Sequence, residues 1–116
     1  MVSTFQELSE LLKAQTHPHH VSQHTVLIWR FLVMSYHLDQ AQRIWVEVMM
    51  HVTGSSEEDS LMAFGEIRKA FRDLMVQSLG TSAPLAATVC ANQAFQIVKR
   101  VEDDVKQYTT NEINNT

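Results

Sequence analysis

Residues Val26 to Met34 read VLIWRFLVM, an apolar run interrupted once, by Arg30. A helix over this run has no polar face, so it must be enclosed by neighbouring elements or covered by a partner. At 1.5 Å per residue the run is about 14 Å long, half of a bilayer's hydrocarbon core, and no membrane span is expected. The run therefore reads as the centre of a helical domain. In a chain of 116 residues, the size of one domain, that requirement shapes the whole molecule.

The rest of the chain is suited to helices. Three Gly and two Pro leave few breaks, and Leu, Met, Ala, Gln and Glu are frequent. Five helical segments follow from periodicity and capping. The first covers about Phe5 to Ala14, with Thr4 and Glu7 as a capping box and Phe5, Leu8, Leu11 and Leu12 as one stripe. Thr16 to Val21, with Pro18 inside it, is a linker. Ser22 caps a second helix, Gln23 to Tyr36, which carries the apolar run.

His37 to Asp39 reads as a short break, with Asp39 capping a third helix over Gln40 to Val52. Its stripe is Ala41, Ile44, Trp45, Val48, Met49 and Val52, with Val46 and Met50 as a smaller second strip. Gly54 ends it. The fourth helix opens on a Ser55/Glu58 capping box, carries Glu57, Glu58 and Asp59 in its first turn, and stops at Gly80. Gly65 inside it either costs helix stability or admits a close neighbour. The fifth runs from a Ser82 cap through Pro84 to Tyr108, with small residues Ala86, Ala87, Cys90, Ala91 and Ala94 on one side. The expected fold is a single all-α domain over 1–108, a bundle of four or five helices around a central, nearly all-apolar helix. A polar, disordered tail over 109–116 follows it.

Several function classes find no support. The formal net charge is −4 and basic residues are interleaved with acids, so no counterion-releasing face for nucleic acid is expected. The N-terminal stretch carries Glu7 and Glu10 and lacks a basic n-region, so no signal peptide is expected and a cytoplasmic location follows. Cys90 is the lone cysteine, among small apolar residues, and behaves as a small hydrophobe. There is no G-x-S-x-G, phosphate-cradling glycine loop or H-E-x-x-H, and no catalytic residue is assigned. No His has a Lys close behind it, as a phosphotransfer bundle would require.

His17, His19, His20 and His24 fall within eight residues and could ligate zinc, nickel or copper. No carboxylate or cysteine stands beside them, so the expectation is no metal and no cofactor. Tyr108 and Glu112 have a Y-x-x-x-E spacing that resembles the export signal of small helical type VII secretion substrates. The resemblance covers five residues, and the W-x-G turn of those substrates is missing here.

What remains is interaction. Met and Trp on helices suit adaptable, anchored contacts. The expected function is a non-catalytic interaction or regulatory protein, of adaptor, inhibitor or chaperone type. It binds a protein partner through an apolar helical surface, as a homodimer. The expected interface residues are Trp29, Phe31, Leu32, Met34, Val46 and Met50. Small acidic helical proteins with such roles also occur among viral and phage antagonists of host factors. The alternative is a small-ligand or metal-binding bundle using the His-rich segment 17–24.

Overall fold

The computed structural model describes residues 22–114, with side chains as far as Thr109. The expected first helix, Phe5 to Ala14, and the linker Thr16 to Val21 lie outside the described residues. Within them the chain is all-α, with three helices and no strand. They are α1 (Gln23–Thr53), α2 (Glu57–Gly80) and α3 (Pro84–Asn114). The expectation of four or five helices is thus corrected to three over this range.

The main correction lies in α1, which runs without interruption through His37–Asp39. Neither Gly nor Pro stands there to break it, and the burial pattern continues across the join. Phe31, Ser35, Leu38 and Ala41 are all buried, at helical spacing on one face. Asp39, expected as a cap, sits mid-helix and pairs with Arg68 of α2. Ser22 does cap α1, its Oγ accepting from the Thr25 N–H at 3.2 Å. Gly54 ends α1 in the left-handed region at φ 69°, its N–H donating to the Met50 carbonyl.

The other termini move by one or a few residues. Ser56, not Ser55, caps α2, accepting from the Asp59 N–H at 3.1 Å. Gly80 is the last helical residue of α2, with Thr81 as its C-cap. Pro84 begins α3, and the Ala87 N–H reaches the Ala83 carbonyl, so Ala83 holds the place expected for Ser82. Pro at this position loses no hydrogen bond and has the right φ. At its other end α3 continues past the expected stop at Tyr108 to Asn114, a stretch with no Gly or Pro. A methyl-sized group at Gly65 would meet nothing within 4 Å, so this glycine serves no close approach.

The helices form an up-down-up bundle. The Gln23 side chain donates to the Pro84 carbonyl and to Thr88, Arg30 donates to Asn92, and His37 faces Glu102 at 3.6 Å. Rising numbers pair with rising numbers, so α1 and α3 are parallel. α2 runs the other way: Phe71 meets Phe31 edge-on at 6.0 Å, whereas Phe64 meets Trp45 at 5.1 Å.

The inner face of α3 is Ala87, Ala91, Ala94, Val98, Val101 and Val105, alternating steps of four and three as a coiled-coil seam does. Its alanines lie level with Leu27, Phe31 and Met34, its valines level with Leu38 and Ala41. Bulk on α1 is thus matched by small residues on α3, which is how helices interlock at high density.

Three serines are buried in this core. Ser78 donates to the Ala87 carbonyl at 2.7 Å, closing the α2–α3 turn. The hydroxyls of Ser35 and Ser60 have no hydrogen-bond partner among the described residues. Arg68 is half-buried between α2 and α1. It bonds both Asp39 and Gln42, the latter from Nε at 2.8 Å, and lies 5.7 Å from the Phe64 ring centroid. This places Asp39, Gln42 and Val46 on the side of α1 that faces α2.

Candidate interaction surface

The apolar run of α1 divides into two faces. Leu27, Ile28, Phe31, Leu32 and Met34 are buried. Val26, Trp29 and Val33 are 44%, 56% and 41% exposed, and Tyr36 continues their line. The expected central helix is therefore corrected. α1 is one wall of a three-helix bundle, and its outer side among the described residues is open. Three helices can cover only two flanks of each member.

The spacing of the outer strip is informative. Val26, Trp29, Val33 and Tyr36 follow one another by three, four and three residues, the repeat by which one helix presents a seam to another. Over these residues the strip is about 15 Å long. On the neighbouring helix Phe95, one turn beyond Asn92, is 46% exposed and widens the apolar ground on the α3 side. Arg30 lies beside the strip and is held to Asn92 Oδ1 at 3.0 Å. From Gln23 to Leu38, α1 carries no acidic residue. The strip is apolar, and its α3 margin carries Arg30 and, farther along, Glu102 opposite His37.

Of the six expected interface residues, Trp29 alone is exposed. Phe31, Leu32, Met34 and Val46 are buried in the bundle, and Met50 is half-buried. Val46 is inside because α2 packs on the Asp39–Gln42 side. Ile44 and Val52, expected in the buried stripe, are exposed for the same reason. Val33 and Tyr36 were missed as surface residues. Their three–four spacing from Val26 is visible in the sequence, but an equally good spacing marks the buried face.

Other features offer less. A shallow cleft of about 350 Å³ lies between α1 and α3, lined by Ile44, Glu47, Val48, His51, Tyr108 and Thr109. The rings of His51 and Tyr108 meet there edge-on at 6.3 Å. This volume is at the small end for ligand sites, and the cleft opens broadly to solvent. Cys90 is half-buried, with its sulfur 4.0 Å from Gln77 Oε1. Among the described residues no three His, Cys, Asp or Glu converge as a metal site. His24 is exposed, and His17, His19 and His20 lie outside the described residues. No described helix is long and apolar enough to cross a membrane.

Comparison with known proteins finds no family model, no curated relative and no solved structure that matches this chain. The functional reading therefore rests on the surface itself.

Proposed function

We propose that this protein is a non-catalytic interaction module that docks a helical protein surface on the outer strip of α1, and that it self-associates through the same strip. The proposal includes the cytoplasmic location expected from the sequence. The observation that carries it is the exposure of Trp29 at the centre of a seam-spaced apolar line. Trp is the residue most enriched at energetic centres of interfaces, and burying a large apolar side chain contributes about 1.5–3 kcal/mol. The occupant that fits is an amphipathic helix presenting apolar residues at i, i+3 or i+4, and i+7. A second copy of α1 has this pattern, and a two-fold contact makes the strip self-complementary.

Sedimentation equilibrium across micromolar to millimolar concentration tests this reading. The weight-average mass should rise from 13.3 kDa toward twice that value. Val33→Glu should weaken the association, because it places an unpaired charge in the seam. Val76→Glu, at an exposed apolar position on α2, should not. Association that ignores Val33→Glu, or a monomer throughout the range, overturns the proposal.

A further inference from the structure

We infer that two copies of the chain meet antiparallel, α1 against α1, with Trp29 of each copy set against Val33 of the other and Val26 against Tyr36. The inference rests on the docking reading above and deepens it: the strip is covered by the same strip of a second copy, in one orientation.

The order of sizes along the strip carries it. Val26, Trp29, Val33 and Tyr36 alternate small, large, small, large. Their steps of three, four and three residues read the same in both directions. Reversal about the level of Phe31 therefore brings all four into register at once, and every large side chain then faces a small one. Such alternation lets facing layers interdigitate. A parallel pair sets Trp29 on Trp29 and Tyr36 on Tyr36, with each valine facing its own counterpart. Bulk against bulk holds the helices apart, and the valines then line gaps and lose contacts.

Phe95 points to the same orientation. The Arg30–Asn92 and His37–Glu102 contacts bracket it and place it level with Val33, on the α3 side of the strip. A two-fold axis between antiparallel α1 helices puts both α3 helices on one side of the contact, whereas a parallel pair puts them on opposite sides. In the antiparallel pair the exposed Phe95 of one copy lies level with Trp29 of the other, and both Phe95 side chains border the same edge.

Charge does not choose the orientation. That edge carries Arg30, Lys99 and Glu102 of each copy. The two Arg30 come within about 3 Å of each other along the helix axis, and Glu102 of each copy lies about 8 Å along it from Arg30 of the other. Each Arg30 stays bonded to Asn92 and each Glu102 faces His37, at a rim where water screens like charges. Area sets the strength. Three half-exposed aromatic side chains and two valines per copy amount to about 900 Å² of apolar surface in both copies together. This is below the roughly 1,200–2,000 Å² of stable complexes, so the pair is weak and reversible.

The test measures distances between copies of the full chain. Cys90→Ser removes the native thiol, and one nitroxide is attached at Gln40→Cys or Glu47→Cys, both exposed on the outer side of α1. In the antiparallel pair the two Gln40 positions stand roughly 18 residue levels apart and the two Glu47 positions roughly 32. Backbone separations of about 28 Å and about 49 Å follow for packed helices. A parallel pair gives about 10 Å at both. Pulsed dipolar spectroscopy should thus read a distance that lengthens by about 20 Å as the label moves from 40 to 47. Val33→Glu should remove most of the dipolar modulation. Distances that do not lengthen overturn the inference and leave the docking reading standing if Val33→Glu still acts. A signal indifferent to Val33→Glu puts the contact on another face and overturns both. A monomer throughout the concentration range, with no signal between copies, also overturns both.

Discussion

The two halves of α1 share one inner face and differ on the outside. From Gln23 to Leu38 the inner side chains are Leu27, Ile28, Phe31, Met34 and Leu38, and the outer ones are Val26, Trp29 and Val33. From Asp39 to Thr53 the inner side has Ala41 and Val46 with half-buried Trp45, while Gln40, Arg43 and Glu47 lie outside. The second half is an ordinary amphipathic surface helix, with Ile44 and Val52 as scattered exceptions of the kind every protein surface carries. The first half is apolar on both sides. An exposed apolar line confined to one half of a helix is not explained by folding of that helix, because the other half folds without one. The proposed docking function rests on this difference.

The largest test of this contrast is on the inside. Phe31 is fully buried and packs on Phe71, so Phe31→Ala should cost about 3–4 kcal/mol in denaturant unfolding. A loss below about 1 kcal/mol would mean that the first half of α1 is not core at all. Next comes the outside. Val33→Glu should weaken self-association at least about tenfold, or about 1.4 kcal/mol, whereas Glu47→Ala in the second half should leave it unchanged. Equal effects at both positions would erase the distinction between the halves.

The join between them is held from α2. Asp39→Ala removes an ion pair that is about one-third exposed, so a loss near 1 kcal/mol is expected, read from the urea midpoint. The smallest effect is at Ser35. Its buried hydroxyl has no partner among the described residues, so Ser35→Ala should leave the thermal midpoint unchanged or raise it, by up to about 1 kcal/mol of stability. A clear loss there would show that the hydroxyl finds a partner in solution.

The pattern of these residues explains what could be read in advance. Ser22 and Gly54 announce the ends of α1 because capping is local chemistry, settled by a side-chain oxygen and a positive φ. His37–Asp39 misleads because Asp favours caps on average, yet here Arg68 arrives from α2 and makes a mid-helix Asp stable. The extension of α3 past Tyr108 has a related cause: a polar end looks like a disordered tail, whereas the absence of Gly and Pro lets the helix continue.

The candidate surface shows the same division. The sequence places Val26, Trp29, Val33 and Tyr36 on one line and Leu27, Phe31, Met34 and Leu38 on another, both apolar and both at helical spacing. By itself it determines that the run Val26–Met34 is helical and that its apolar residues surround the helix. Which line turns inward is decided by the tertiary structure. α2 and α3 approach from the sides set by Arg68–Asp39, Gln23–Thr88 and Arg30–Asn92, and the alanines of α3 leave room for Phe31 but none is offered to Trp29. Periodicity is a property of one helix, whereas burial belongs to the way helices meet.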